Sequence, residues 1–379
     1  MQDQRQLFAL PSDEVYLNGA SRSPQLHAAA TAARNALAWR EKNSGMPIAD
    51  FFEPVARLRG SFARLINAPD ADRVALIPAA SYGLATVARN LPLNRGQEIV
   101  VVEDQFPSNY YTWHRRCAET GARLITVARP TGGESWSERV LEAIGPRTAA
   151  VAIAQLHWAD GSWFDLEAIR SRTDEVNAWL VVDGTQSVGA FPFDVQRIRP
   201  DALVAGGYKW LLGPYGCGYA WYGPRLDDGV PLEENWINRQ GSDNFSALAR
   251  YTDAYRPLAA RYSVGEHSNF LMVPMQQAGL DCLNNWGPEN VQAYLATLWS
   301  EAAVRLRELG IAFPARSAWH LVGLRLPPQL AVERLQEELL HRKIAVSYRG
   351  AVVRVSPNVY NVAEDLQRFI EAAEAAVRR

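Results

Sequence analysis

Short unbroken apolar runs alternate along this chain with longer segments in which apolar residues recur at helical spacing. The runs VALIP (Val74–Pro78), EIVVVED (Glu98–Asp104), RLITVAR (Arg123–Arg129), TAAVAIAQLHW (Thr148–Trp158) and the one ending at Asp183 read as strands. None alternates in and out as a strand with one wet face does, so both faces of their sheet are expected under helices. Helical patterns over Gln25–Lys42, Ala49–Ile66, LATVARNL, Glu138–Ile144 and DLEAIRSRTDEVNA supply that cover. The order predicts an α/β fold: a three-layer large domain around a mainly parallel sheet.

The rhythm changes after a periodic helix from about Asn269 to Trp286. Pro288 restarts a helix, and Val291–Leu309, strand HLVGLRL, helix Ala331–His341, strand VVRVSP and helix Ala363–Arg379 follow. This predicts a smaller α+β C-terminal domain. A chain of 379 residues exceeds what one core usually serves. The expected division is 23–287 for the large domain and 1–22 with 288–379 for the small one.

Composition narrows the partners. A net charge of −2 gives no electrostatic case for nucleic acid or an anionic membrane. No apolar run approaches the ~18 residues that span a bilayer. The N-terminus lacks a basic stretch followed by an apolar core, so no signal peptide is expected. Three scattered cysteines (Cys117, Cys217, Cys282) suit a reducing cytoplasm and suggest neither disulfide frame nor metal site.

In open α/β sheets ligands gather beyond the carboxyl ends of the strands, and here those ends carry the candidate chemistry. Ala80 and Ser81 after VALIP stand at a helix start, where free N–H groups favour phosphate; an N-cap role for Ser81 weighs equally. Phe106 follows the next strand and could lie on a flat ring, although a core aromatic is commoner. His157 follows another, as a catalytic or a structural histidine. Asp183 ends a buried strand, and Gln186 follows it. Lys209 sits in GGYKWLLGPYG among apolar neighbours, which lower its pKa by desolvation and favour the nucleophilic amine. A carboxylate and a lysine in such surroundings make sense around a pyridine ring, with Lys209 as Schiff-base lysine and Asp183 facing the ring nitrogen. Arg354 in VVRVSPNVYN could clamp a carboxylate across the interdomain cleft, or be an ordinary surface arginine.

Together the blocks YLNGASRSP, DGTQSVGAFPFDV…GGYKWLLGPYG and RVSPNVYN resemble the class V aminotransferase superfamily of fold-type I pyridoxal phosphate (PLP) enzymes. The motifs lie nearest the isopenicillin N epimerase-like, kynureninase-like and cysteine desulfurase-like group. The resemblance implies PLP on Lys209, Asp183 at the pyridine nitrogen, Gln186 at the phenolic oxygen and Phe106 stacked on the ring. It implies Ala80, Ser81 and Tyr208 around the phosphate and Arg354 toward the substrate; Asn18 and Asn109 are further expected substrate contacts, His157 is the expected catalytic histidine, and His157, His267 and Tyr208 are the candidates for a second acid or base. It also implies a homodimer in which the partner's Trp236 and Ser268 regions reach the site. Tyr208 stands where cysteine desulfurases carry histidine, and no cysteine follows Cys282, which disfavours persulfide chemistry. Asn109 stands where kynureninases usually carry aspartate.

The expected activity is thus on a free α-amino acid through aldimine and quinonoid intermediates, as transamination or β-elimination (C–S or C–C lyase). Epimerisation, or a silent binding protein on the same fold, is the alternative. A nucleotide-dependent dehydrogenase is disfavoured because no G-x-G-x-x-G follows the first strand.

Overall fold

The computed structural model describes residues 1–41, 45–131, 133–314 and 316–378. β1 (Val15–Tyr16) is followed by α1 (His27–Arg40) and α2 (Ala49–Leu65). The central units run β2 (Val74–Ile77), α3 (Ala80–Asn90), β3 (Glu98–Val102), α4 (Ser108–Thr120), β4 (Arg123–Val127) and α5 (Trp136–Ala143). Then come β5 (Thr148–Ala154), α6 (Leu166–Glu175), β6 (Trp179–Asp183), α7 (Val195–Ile198), β7 (Ala202–Gly206) and β8 (Gly218–Tyr222). α8 (Met272–Trp286) and α9 (Pro288–Glu308) lead to β9 (Val322–Arg325), α10 (Val332–His341) and β10 (Ile344–Ala345). β11 (Ser347–Arg349), β12 (Val352–Val355) and α11 (Ala363–Arg378) complete the order. Of the expected helix ends, Lys42 and Arg379 lie outside the described residues.

A seven-stranded sheet in the order β2-β8-β7-β6-β5-β3-β4 forms the centre. β8 alone runs antiparallel to its neighbours β2 and β7. The other six strands therefore point the same way and deliver their carboxyl ends to one edge. Alternate side chains of each strand go to opposite faces. Val100, Val102, Leu180 and Val182 join the apolar layer on one side, while Ile99, Val101, Trp179 and Val181 join the other. Continuous apolar strands are what a sheet buried on both faces requires.

A three-stranded antiparallel sheet, β11-β12-β9, and the parallel pair β1-β10 make up the remainder. A third apolar cluster joins Val15 and Leu17 to residues of α9, α10 and α11. The N-terminal strand thus packs with the last third of the chain.

Two glycines beside Lys209 are required by space. A Cβ on Gly207 would lie 2.8 Å from the Cys217 carbonyl oxygen. Gly189 has φ +102°, and its Cβ would lie 2.4 Å from the Trp210 carbonyl oxygen. Both the dihedral and the backbone neighbour reject a side chain. Gly189→Ala should destabilise the protein by roughly 2–4 kcal/mol, read as a lower urea midpoint with an unchanged slope.

Candidate active site

The segments that leave β2, β3, β5, β6 and β7 close around one cavity of about 230 Å³. Its walls carry Ala80 and Ser81, Phe106 and Asn109, His157 and Trp158, Asp183 and Gln186, and Tyr208 and Lys209. Sequence positions spread over 130 residues meet because a parallel sheet puts every strand end on one edge.

Lys209 follows β7 in a tight turn, held by Gly207 N–H to Cys217 O at 2.7 Å and Gly213 N–H to Gly207 O at 2.8 Å. The residue is 6% exposed. Burial lowers its pKa to about 8; Arg354 and Arg349 push the same way and Asp183 opposes them. Its Nζ stands 5.4 Å from the Phe106 ring centre and 5.5 Å from that of Tyr208. Asp183, at the end of β6, is buried, and its Oδ1 accepts the Thr185 N–H at 3.0 Å. Burial raises its pKa, against the opposing Thr185 hydrogen bonds and Lys209.

The Lys209 shift has a thermodynamic consequence. A folded value near 8, below the ordinary lysine value of 10.5, penalises the folded apoprotein below pH 8. That penalty fades as pH rises from 8 to 10.5. The stability difference between wild type and Lys209→Met apoprotein should therefore move in favour of wild type across that window, read from urea midpoints.

Ala80 and Ser81 are the first two residues of α3, with Ala79 at the N-cap. Ser81 is thus inside the first turn rather than capping it, among N–H groups without helical acceptors. Asn109 is 1% exposed. Its Oδ1 accepts from Trp113 Nε1 at 2.9 Å, which fixes the amide, and its Nδ2 is buried with no partner. A buried orphan donor on a cavity wall calls for an acceptor in the cavity. Phe106 stands 38% exposed, edge-on to Trp158 at 5.5 Å.

Gln186 is more constrained than its sequence position suggests. Its Nε2 donates to Ala20 O at 3.1 Å, and its Oε1 accepts from Trp210 Nε1 at 2.9 Å. One amide N–H stays available. His157 has both ring nitrogens engaged: Nε2 faces Glu103 O at 3.3 Å, and Nδ1 faces the Ala159 N–H at 3.4 Å. The Glu103 carbonyl favours a proton on Nε2, and the Asp160 carboxylate stands 3.6 Å from Nδ1. Burial, the largest cause, lowers its pKa, and the ring lies flat on Trp136 at 5.5 Å. His157 lines the cavity with both ring nitrogens turned to protein groups.

Arg354 on β12 is 1% exposed and, among the described residues, bonds only to neutral acceptors. Nε donates to Ser347 Oγ at 3.0 Å, Nη1 to Trp158 O at 2.8 Å and Nη2 to Ser21 Oγ at 3.0 Å. Burial, then Arg349, lowers its pKa to about 9. Asn18 does not line the cavity; its Oδ1 accepts from Ser21 Oγ at 2.7 Å and so braces the hydroxyl that receives Arg354. Trp236 packs on Phe51 and Phe245, and Ser268 donates to Phe51 O at 2.5 Å. Neither lines the Lys209 cavity of its own chain.

These features fit PLP. The buried Asp183 carboxyl has one backbone donor and room for a ring N–H, the Asn109 amide lacks an acceptor, and α3 offers N–H groups to a phosphate. Lys209 presents an amine at reduced basicity. Among the described residues, no His, Cys, Asp and Glu cluster could hold a metal ion, and no helix is long and apolar enough to cross a membrane.

The fold is that of the fold-type I PLP-dependent enzymes. Residues 16–369 match the class-V aminotransferase family, and the chain belongs to it. It is thereby an enzyme of the PLP-dependent aminotransferase and lyase group. An uncharacterised aminotransferase of Bacillus subtilis, YcbU, is 27% identical, covering 84% of this chain and 82% of its own. Isopenicillin N epimerase of Streptomyces clavuligerus is 26% identical over 84% of this chain and 83% of its own. The crystal structure of the Escherichia coli cysteine desulfurase CsdA superposes with a TM-score of 0.85 at 20% identity, covering 99% of this chain and 97% of that one.

Proposed function

We propose that the enzyme acts on a free α-amino acid by transamination or β-elimination, with Lys209 as its central base. The observation that carries this is one cavity with a buried amine of pKa about 8 and a buried carboxylate, and a buried arginine bonded to the carbonyl of its wall residue Trp158. Bound PLP supplies an electron sink, so that a proton or a substituent can leave the amino acid. Lys209 would hold it through Nζ, Asp183 would accept its ring N–H, and the α3 N-terminus with Ser81 and Tyr208 would receive its phosphate. Phe106 would cover its ring, and the remaining Gln186 N–H and the Asn109 Nδ2 would reach its oxygen or the substrate's.

Arg354 would take the α-carboxylate, which places Cα near Lys209. Near neutral pH a minor but usable fraction of an amine of pKa about 8 is unprotonated, as a base that removes and returns a proton must be. His157, with its proton committed to Glu103 O, serves as a wall. Arg354→Gln should lower kcat/KM by roughly 10²-fold, mainly through KM, because it removes a charge-assisted contact present before and during reaction.

The missing cysteine after Cys282 and Tyr208 in place of histidine support a reaction without a persulfide on the enzyme. Epimerisation is the second reading, favoured by the similarity to isopenicillin N epimerase. A homodimer, with the partner completing the site through its Trp236 and Ser268 regions, and a cytoplasmic location accompany this proposal. The test is a panel of amino acids added to PLP-loaded enzyme, followed by absorbance and by product mass and chirality. A keto acid or an eliminated fragment supports the reading. An inverted amino acid selects epimerisation, and a spectrum unmoved by the whole panel overturns catalysis.

A further inference from the structure

Arg354 has a neighbour that the proposed reaction does not use. β11 and β12 form an antiparallel hairpin with Ser347 opposite Arg354 and Arg349 opposite Val352. Opposed residues of such a pair project to the same face, as do alternate residues of one strand. Ser347, Arg349 and Arg354 therefore share a face, which the Arg354 Nε to Ser347 Oγ bond reflects. That face rests on Trp158, with Arg349 Cζ 5.3 Å and Arg354 Cζ 5.9 Å from its ring centre. Trp158 is itself a wall of the Lys209 cavity. Two guanidiniums thus stand together on this wall residue, and the charges of both reach Lys209.

Neither has an anion among the described residues. Arg349 Nη1 donates to Tyr348 O at 2.6 Å, and its Nε is closed off from solvent without an acceptor. The charge that acts on Arg354 is the like charge of Arg349, and no carboxylate among the described residues offsets either. Two partly desolvated cations side by side are unfavourable until anions join them, and one α-carboxylate neutralises only one. The planar fork of each guanidinium matches a carboxylate.

We infer that the substrate is a dicarboxylic α-amino acid, its α-carboxylate on Arg354 and its side-chain carboxylate on Arg349. This rests on the reading of the Lys209 cavity above. The aromatic walls point instead to an apolar arm; the unpaired Arg349 at the rim outweighs them, because aromatic rings tolerate a methylene chain passing over them whereas a cation without an anion gains nothing from one.

The test uses PLP-loaded protein and two unreactive probes, glutarate and butyrate, followed by calorimetry. Wild type should bind glutarate about 10–100-fold tighter than butyrate. Arg349→Gln should abolish that advantage, Arg349→Lys should restore part of it, and butyrate should serve as reference, moving less than about threefold. In turnover, wild type should prefer glutamate or aspartate to the matching amide, and Arg349→Gln should not. Equal binding of the two probes by wild type, or an equal loss for both in Arg349→Gln, overturns the inference. Failure of the protein to acquire the absorbance of a lysine-bound cofactor would instead overturn the reading of the cavity.

Discussion

Lys209→Ala should lower turnover of every amino-acid substrate by roughly 10⁴-fold, because one substitution removes both the attachment point and the proton carrier. The protein should still fold. Among the described residues Lys209 makes no ion pair that the core depends on, and burial already disfavours its charge. PLP binding by the variant should persist in weaker, dialysable form through the phosphate contacts, without the absorbance of a lysine-bound cofactor. Added methylamine should rescue part of the activity if the missing function is an amine. A variant that kept more than a few per cent of wild-type turnover would place the chemistry elsewhere.

Asp183→Asn should be the next most damaging change, lowering kcat by about 10²–10³-fold with cofactor still attached to Lys209. Asparagine can keep the hydrogen bond from Thr185 N–H through Oδ1. What disappears is the negative charge that would hold a proton on the ring nitrogen. The apoprotein carries a second signature. Because burial raises the folded pKa of Asp183 above 3.8, the folded state binds the extra proton, and wild-type stability from this group falls as pH rises from 3.8 through the raised value. Asp183→Asn should lack that component, seen as a flatter midpoint-against-pH curve in the acid range. An unchanged kcat would remove Asp183 from the mechanism.

Much of the fold was legible in the pattern of apolar residues. Strands buried on both faces, such as EIVVV and WLVVD, leave unbroken apolar runs, and the helices between them are long enough to carry their period. β7 escaped notice because ALVAG is short, ends in glycine and lies close to the lysine turn. β10 and β11, of two and three residues, are set by pairing with β1 and β12 and carry no period of their own.

The site was legible to the extent that burial conflicted with chemistry. Asp183 and Lys209 stood out because charged residues rarely occupy apolar stretches unpaired. One further signal was available: the chain holds three lysines among 39 basic residues, so a lysine kept in apolar company is conspicuous. The hydrogen bonds that engage His157 and Gln186 could not be read in advance, since they run to the backbone of Glu103 and Ala20, far away in sequence. The unpaired Asn109 Nδ2 and the company Arg349 keeps are likewise products of tertiary contact. Strand-end position identifies which residues reach the cavity; it does not say which of their atoms remain free.

The central claim is that Lys209 carries the cofactor. Purified enzyme loaded with PLP and reduced with borohydride can be digested and mapped by mass. The stable pyridoxyl adduct should fall on the peptide containing Lys209, with Lys42 and Lys343 unmodified at stoichiometric cofactor. An adduct distributed over the other two lysines, or none on Lys209, would contradict the account.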